Sequence, residues 1–144
     1  MKPFTFGLQK VLSLRKHHED EAKIELGRAV GVLAELESNI LTIAQERSRA
    51  ASAQFIPGNS AAEMQQYMFY ILRLDNTKEQ LLKETAMAEL KVEETREAFL
   101  EASRERKIMD KLKDKRRLEY RKMALADEAK ELDEITASSP ASLP

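Results

Sequence analysis

Two adjacent histidines and a nearby glutamate come closest to a chemical site in this sequence. His17 and Glu21 are four residues apart, a spacing that places two metal-ligating side chains on one face of a helix. Two ligands alone hold a metal weakly, and His18 points to another face, so a solvated polar stripe is the favoured interpretation. The sequence has no cysteine, Gly-rich phosphate loop, G-x-S-x-G elbow or H-E-x-x-H motif. We therefore predict that the protein is not an enzyme and has no metal or cofactor.

A basic segment at residues 104–122 is the second candidate. It holds ten Lys and Arg against four Asp and Glu, whereas residues 84–101 and 127–134 each carry a net charge of −4. A nucleic-acid site would interleave such cations with stacking aromatic residues, and Tyr120 is the only aromatic in the segment. Nucleic-acid binding is therefore disfavoured. An ordinary ion-paired helix face and a contact with an acidic protein partner both remain open.

The composition indicates that long helices carry these residues. Ala, Glu, Lys, Leu and Arg account for 79 of the 144 residues, and charged residues for 34%. Such a mixture is typical of a coiled coil, and an aromatic content of 6% suits a buried seam better than a large globular core. The longest uncharged stretch, residues 50–62, is too short for a membrane-spanning helix. We expect a soluble cytoplasmic protein without direct membrane insertion.

The chain has two arms, one on each side of Pro57-Gly58. In each arm, mostly apolar residues recur at alternating intervals of three and four, which is the pattern of a coiled-coil seam. The first-arm positions are Leu8, Leu12, Arg15, Glu19, Ala22, Leu26, Ala29, Leu33, Leu36, Ile40, Ile43, Arg47 and Ala50. The second-arm positions are Met64, Tyr67, Ile71, Leu74, Lys78, Leu81, Thr85, Ala88, Val92, Thr95, Phe99, Ala102, Arg106, Met109, Lys113, Arg116, Tyr120 and Met123.

One turn separates the arms. Pro57 and Gly58 break the helix, and Ser60 with Glu63 forms an S-x-x-E capping box that starts the next one. The sequence therefore predicts an all-α fold, an antiparallel coiled-coil hairpin that forms a single rod over residues 1–135. Its parts are a helix at about 4–54, a turn at 55–60 and a longer helix at about 60–135, followed by a disordered tail at 136–144.

The unequal arms predict an overhang of the second helix. Folding the chain at the turn places residue i opposite about residue 115 minus i, so Phe4 is expected near Lys111. Residues 112–135 would then extend past the amino terminus as a single helix with apolar residues on two sides. One stripe, Tyr120 and Met123, continues the seam. The other recurs every seven residues on the opposite face and consists of Leu118, Leu125 and Leu132. A partner that surrounds the helix would cover both stripes, and local self-association is the alternative.

Aromatic residues cluster just after the turn, in the stretch Tyr67-Met68-Phe69-Tyr70-Ile71-Leu72. In the seam register Phe69 is expected on the outer face, and Tyr70 flanks the seam. Either Phe55 and Ile56 fold back over this stretch as a hydrophobic cap, or the stretch is a contact patch for a partner.

The amino-terminal spacing resembles a known family. Phe4-x-Phe6-x-Leu8-x-x-Val11-Leu12-x-Leu14-Arg15 is similar to the opening motif of the FliJ family of flagellar export proteins. Glu105-Arg106, Leu112, Tyr120 and the closing Glu131-Leu132-Asp133-Glu134-Ile135 resemble the carboxyl-terminal half of that family. The resemblance covers about residues 1 to 135.

This resemblance implies a non-enzymatic component of the bacterial flagellar type III secretion apparatus. Family members form antiparallel coiled coils that act as the central stalk of a hexameric export ATPase, at the cytoplasmic face of the inner membrane. They also engage the membrane export gate and hand over export chaperones with their cargo. The expected ATPase-contact residues are Lys113, Arg116, Arg117, Leu118, Tyr120, Met123 and Leu125. The expected gate-contact residues are Ile43, Arg47, Phe69, Tyr70 and Leu74, of which Ile43 and Arg47 stand where the family can carry aromatic residues.

Three other functions compete with this interpretation. The equivalent stalk of a virulence-type secretion system would share the hairpin and the ATPase partner. A self-assembling coiled-coil scaffold would form a stable dimer or filament, whereas the stalk is expected to be a monomeric rod when free. A nucleic-acid-binding hairpin would be retained on DNA in a salt-dependent way.

Overall fold

Two long α-helices make up nearly all of the described structure. The computed structural model describes residues 2–138 and contains α1 (Gln9–Gln54) and α2 (Ala61–Ser138). The helices pack against each other in opposite directions, and no strand occurs in residues 2–138. The predicted all-α hairpin with a longer second helix is therefore confirmed.

The helix ends differ from the expected bounds. The first helix begins at Gln9 rather than near residue 4, because Pro3 and Gly7 disfavour helix and the chain turns at Gly7 and Leu8. The second helix continues through Ser138, so residues 136–138 are helical and not part of a disordered tail. The rest of the expected tail, residues 139–144, lies outside the described residues.

The chain divides into two compact units. The terminal unit contains residues 1–20 and 101–144, and the turn unit contains residues 21–100. Each unit pairs a segment of α1 with an antiparallel segment of α2. The single rod expected from the sequence stays a prediction.

The buried residues follow the predicted seam. The least exposed residues of the turn unit are mostly small: Ala29, Ala50, Thr85, Ala88, Val92 and Thr95. The larger Leu74 is also buried there. The two threonine hydroxyls donate hydrogen bonds to backbone carbonyls one turn earlier, to Leu81 at 2.7 Å and to Lys91 at 2.8 Å. In the terminal unit Leu12 is fully buried, with Phe6 and Ser103 close to it in burial. The core is thus a narrow seam of mostly small side chains, as the low aromatic content predicted.

The turn is held by the residues that the sequence singled out. Gly58 adopts a positive φ of 100°, a conformation that residues with a Cβ rarely adopt. The Asn59 side chain donates hydrogen bonds to the carbonyls of Ala53 at 2.8 Å and Gln54 at 3.1 Å, which caps the end of α1. The Ser60 hydroxyl accepts from the Glu63 N–H at 3.1 Å, and the Glu63 carboxylate accepts from the Ser60 N–H at 3.1 Å. The predicted capping box is therefore present.

The register of the terminal unit corrects the predicted overhang. Gln9 accepts a hydrogen bond from the Lys113 ammonium at 2.7 Å, whereas the sequence register would pair it with a residue near 106. Phe4 lies beside Arg117 and Tyr120 rather than near Lys111. The prediction of a free helix that starts at residue 112 is therefore wrong. For Gln9 the physical reason is that helix side chains lean towards their own amino terminus, so contacts between antiparallel helices join residues later in each chain segment than the Cα levels suggest. For Phe4 it is that the non-helical strap advances further per residue than the rise of about 1.5 Å in a helix.

Candidate protein-interaction surfaces

A short non-helical segment, residues 2–8, lies against α2 in the terminal unit; we call it the N-terminal strap. Its anchor is Phe6, which is 9% exposed, while Phe4 is partly buried. The Phe4 and Tyr120 rings are tilted with centroids 5.6 Å apart, and the Arg117 guanidinium carbon lies 5.5 Å from the Phe4 centroid. The Tyr120 hydroxyl donates a hydrogen bond to the Lys2 carbonyl. Phe4 of the opening motif therefore fastens the chain to α2, and Phe6 is the most buried residue of the strap.

This strap was not expected, since the sequence predicted a helix over about 4–54. The alternation of apolar and polar residues from Phe4 to Leu8 has a period of two, which fits an extended segment and not a helix. Pro3 precedes that alternation and Gly7 lies within it. These features were the available signal.

Ion pairs fix the basic segment to α1 in the same unit. Arg106 donates to Glu19 at 3.1 Å and to Asp110 at 2.6 Å, with only 25% of the arginine side chain exposed. The Arg106 hydrogen bond is the main reason that the pKa of Glu19 is lowered, and its two carboxylate partners raise the pKa of Arg106. Arg15 pairs with Glu105. Part of the basic segment therefore has a structural role, consistent with the ion-paired face left open by the sequence.

The seven expected ATPase-contact residues divide into two groups. Arg117 and Tyr120 contact Phe4 or Lys2 and so hold the strap in place, whereas Lys113 contacts Gln9 at the start of α1. The other four have exposed side chains: Arg116, Leu118, Met123 and Leu125. The structure therefore brings all seven to one region of α2, and these four, like Arg117, are exposed.

Beyond the strap, α2 continues as an exposed helix that we call the helical extension, residues 125–138. Every residue of this range is exposed. Leu125 and Leu132 have 65% and 64% of their surface accessible, and Leu118 has 54% on the same stripe. The seven-residue stripe predicted from the sequence is thus an accessible apolar surface.

The turn unit contains a second network, around Glu46. Its carboxylate accepts hydrogen bonds from Arg49 at 2.5 Å and 3.0 Å and from the Tyr70 hydroxyl at 2.8 Å. These bonds, that of Arg49 first, lower the pKa of Glu46 from its ordinary 4.5 to about 2. The same contact with Glu46 raises the pKa of Tyr70. The half-buried Tyr70 is therefore tied to α1 through its hydroxyl, an arrangement that seam spacing alone did not indicate.

The other expected gate-contact residues differ in accessibility. Leu74 is only 7% exposed and packs in the seam, so it supports the surface rather than forming it. Ile43 is half-buried, and Arg47 pairs with Asp75 at 2.6 Å. Phe69 is 54% exposed, as the seam register predicted.

Phe55 and Ile56 at the turn do not cover this stretch. They are 73% and 53% exposed, so the hydrophobic cap that the sequence left open does not form. The turn unit instead presents five exposed apolar side chains, which together we call the apolar patch: Phe55, Ile56, Met68, Phe69 and Leu72.

Other kinds of site have little support in the described chain. Within residues 2–138, no group of three or more His, Asp or Glu side chains is placed to hold a metal ion. The described helices include none with a long enough apolar stretch to cross a bilayer.

The fold is a helical hairpin with a narrow seam, ion pairs between its two helices, and exposed apolar side chains outside the seam. The family model described as "Flagellar FliJ protein" matches residues 4–142, and the chain therefore belongs to the FliJ family. Comparisons with curated proteins and with solved structures give no match. Membership makes the protein a component of the flagellar protein export apparatus, a type III secretion system, in a family of non-catalytic proteins.

Proposed function

We propose that this protein is the central stalk of the hexameric flagellar export ATPase. The observation that carries the proposal is the helical extension, in which every residue from 125 to 138 is exposed and leucines form a seven-residue stripe. An isolated helix with such a stripe gains stability only when a partner covers it. A pore formed by six subunits surrounds an inserted helix and supplies that cover. The chain itself performs no catalysis and acts as a cofactor of the ATPase.

The contact surface on α2 consists of the exposed residues Arg116, Leu118, Met123 and Leu125. Arg117 and Tyr120 contribute by holding the strap, and Lys113 by its hydrogen bond to Gln9 of α1. Exposed cations of the basic segment then face acidic groups of the ATPase ring.

The turn unit links the ATPase to the membrane export gate and receives export chaperones, at the cytoplasmic face of the inner membrane. Its accessible apolar patch supports this role, with Phe69 and the Tyr70 ring as the direct contacts. Arg47 and Ile43 border the patch, and Leu74 maintains the packing beneath it.

A reciprocal binding experiment tests both assignments. The full chain is titrated separately with the purified export ATPase and with the cytoplasmic domain of the gate protein. Leu125→Ala removes about 2 kcal/mol of apolar burial at the ATPase contact, which weakens ATPase binding and stimulation about thirtyfold. Gate binding by this variant is unchanged. Phe69→Ala gives the opposite pattern, with weaker gate binding and intact ATPase stimulation.

Leu90→Ala is the matched control, because Leu90 is a leucine of the turn unit with 67% exposure, close to the 65% of Leu125. It leaves both interactions unchanged. The stalk assignment is refuted if Leu125→Ala stimulates the ATPase as well as Leu90→Ala does. The gate assignment fails in the same way if Phe69→Ala retains full gate binding.

A further inference from the structure

We propose that the leucine stripe of α2, from Leu118 to Leu132 and so partly on the helical extension, binds a second copy of this chain in antiparallel orientation, which gives a reversible dimer of the free protein. This inference goes beyond the stalk function, and it departs from the monomer expected from the sequence.

Three leucines provide the apolar stripe of the interface. Leu118, Leu125 and Leu132 are spaced by seven residues, and between 54% and 65% of each is exposed. A seven-residue repeat on a helix is the spacing with which two helices wind around each other. Leu118 and Leu132 lie at equal distances in sequence from Leu125. The stripe is therefore symmetric about Leu125, as an antiparallel two-fold interface requires.

The charges around the stripe change sign at its centre. Residues 113–122 contain six Lys and Arg against two Asp and Glu, whereas residues 127–134 contain five Asp and Glu against one Lys. The two halves thus carry net charges of +4 and −4. An antiparallel arrangement places the basic half of each copy over the acidic half of the other.

Pairing residue i with about residue 250 minus i sets residues 116–122 of one copy level with residues 128–134 of the other. The basic and acidic halves then attract at both ends of the interface. In a parallel arrangement every residue would instead face its own copy, so the +4 halves and the −4 halves would each repel. The charge pattern therefore selects the antiparallel orientation.

The dimer covers the leucines that the ATPase contact uses. Leu118 and Leu125 belong to both surfaces, so one chain cannot form both contacts at the same time. Binding to the ATPase therefore dissociates the dimer, and the dimer protects the apolar stripe while the chain is free.

The absence of cysteine from the sequence permits a direct test of the orientation. Three variants of the full chain, Leu118→Cys, Leu125→Cys and Leu132→Cys, are treated with a short homobifunctional maleimide. Leu125→Cys cross-links to itself because position 125 lies at the two-fold axis. Leu118→Cys and Leu132→Cys each fail to cross-link alone, and they cross-link when the two variants are mixed.

Leu90→Cys is the matched control for random collision, because Leu90 is 67% exposed and lies outside the proposed interface. The Leu125→Cys reaction is at least about tenfold faster, since a held pair of thiols reacts at an effective concentration in the millimolar range. Raising the salt from 0.1 M to 1 M shortens the Debye length from about 10 Å to about 3 Å and reduces this advantage.

Two results overturn the proposal. Self-cross-linking by Leu118→Cys and Leu132→Cys alone, as fast as by Leu125→Cys, shows a parallel arrangement. Cross-linking of Leu125→Cys at the Leu90→Cys rate, with sedimentation of the unmodified chain as a monomer at high concentration, shows that no dimer forms. Because the assay contains no ATPase, either result leaves the stalk assignment to its own test.

Discussion

The docked strap is tested by a double-mutant cycle between Phe4 and Tyr120. The perturbation consists of Phe4→Ala, Tyr120→Ala and the combined variant in the full chain. The ring centroids are 5.6 Å apart with a tilt of 53°, a geometry in which aromatic pairs attract each other. The register predicted from the sequence would instead place Phe4 near Lys111. The cycle therefore distinguishes the two registers.

The expected coupling is about 1 kcal/mol, within the range of about 0.5–1.5 kcal/mol for such aromatic pairs. Each single variant loses more than this, because Phe4→Ala also removes the cation–π contact with Arg117, about 0.5–1 kcal/mol. Tyr120→Ala also removes the hydrogen bond to the Lys2 carbonyl, about 0.5–1.5 kcal/mol. For a chain of 144 residues, a loss of 1 kcal/mol corresponds to a decrease in Tm of about 4 °C.

The assay is urea unfolding followed by circular dichroism at neutral pH, which yields the free energy of unfolding of each variant. A second cycle between Phe55 and Tyr120 is the control. Phe55 is 73% exposed at the turn, so its coupling with Tyr120 is zero within error. A Phe4–Tyr120 coupling no larger than this control would refute the docked strap.

Two further predictions concern the turn unit. Ser60→Ala removes the cap of α2 and lowers the free energy of unfolding by about 1 kcal/mol. The exposed change Ser52→Ala, in the last turn of α1, does not lower it. Equal stability of the two variants in urea would contradict the capping role. Because the folded-state pKa of Glu46 is depressed from 4.5 to about 2, its stabilising contribution is complete above pH 4.5 and is lost as the pH falls through about 2. Tyr70→Phe removes one hydrogen bond to the Glu46 carboxylate, and Arg49→Leu removes the two hydrogen bonds from the guanidinium. The loss of stability between pH 4.5 and 2 is therefore smaller in Tyr70→Phe than in the unmodified chain, and smallest in Arg49→Leu. Unchanged pH–stability profiles would rule out the network.

The seam and the turn were predictable because local chemistry determines them. Leu12, Ala29 and Val92 are buried at positions that the three-four spacing assigns to the seam. The capping box and Gly58 depend only on neighbouring residues, so short sequence patterns suffice to find them. These features needed no knowledge of which residues of α1 face which residues of α2.

The contacts between the helices were less predictable, because they depend on side-chain length and direction. Arg106 reaches Glu19, whereas a fold at the turn centre pairs Glu19 with a residue near 96. In an antiparallel pair the side chains of both helices lean towards their own amino termini, which moves the contact partners further along α2. Long Arg, Lys and Gln side chains enlarge this displacement. Pairing residue i with residue 115 minus i therefore underestimates the length of α2 that α1 and the strap contact.

This displacement changes the argument for a surrounding partner. On the predicted overhang, both apolar stripes were unpaired from residue 112 onwards. In the structure the strap covers part of the seam stripe, since Tyr120 lies against Phe4, although Met123 stays 62% exposed. The leucine stripe from Leu118 to Leu132 has no such cover from the strap, because it lies on the opposite face of α2. The proposed partner contact therefore depends mainly on one face of α2 near the strap, and residues 125–138 are the part that the proposed pore would enclose.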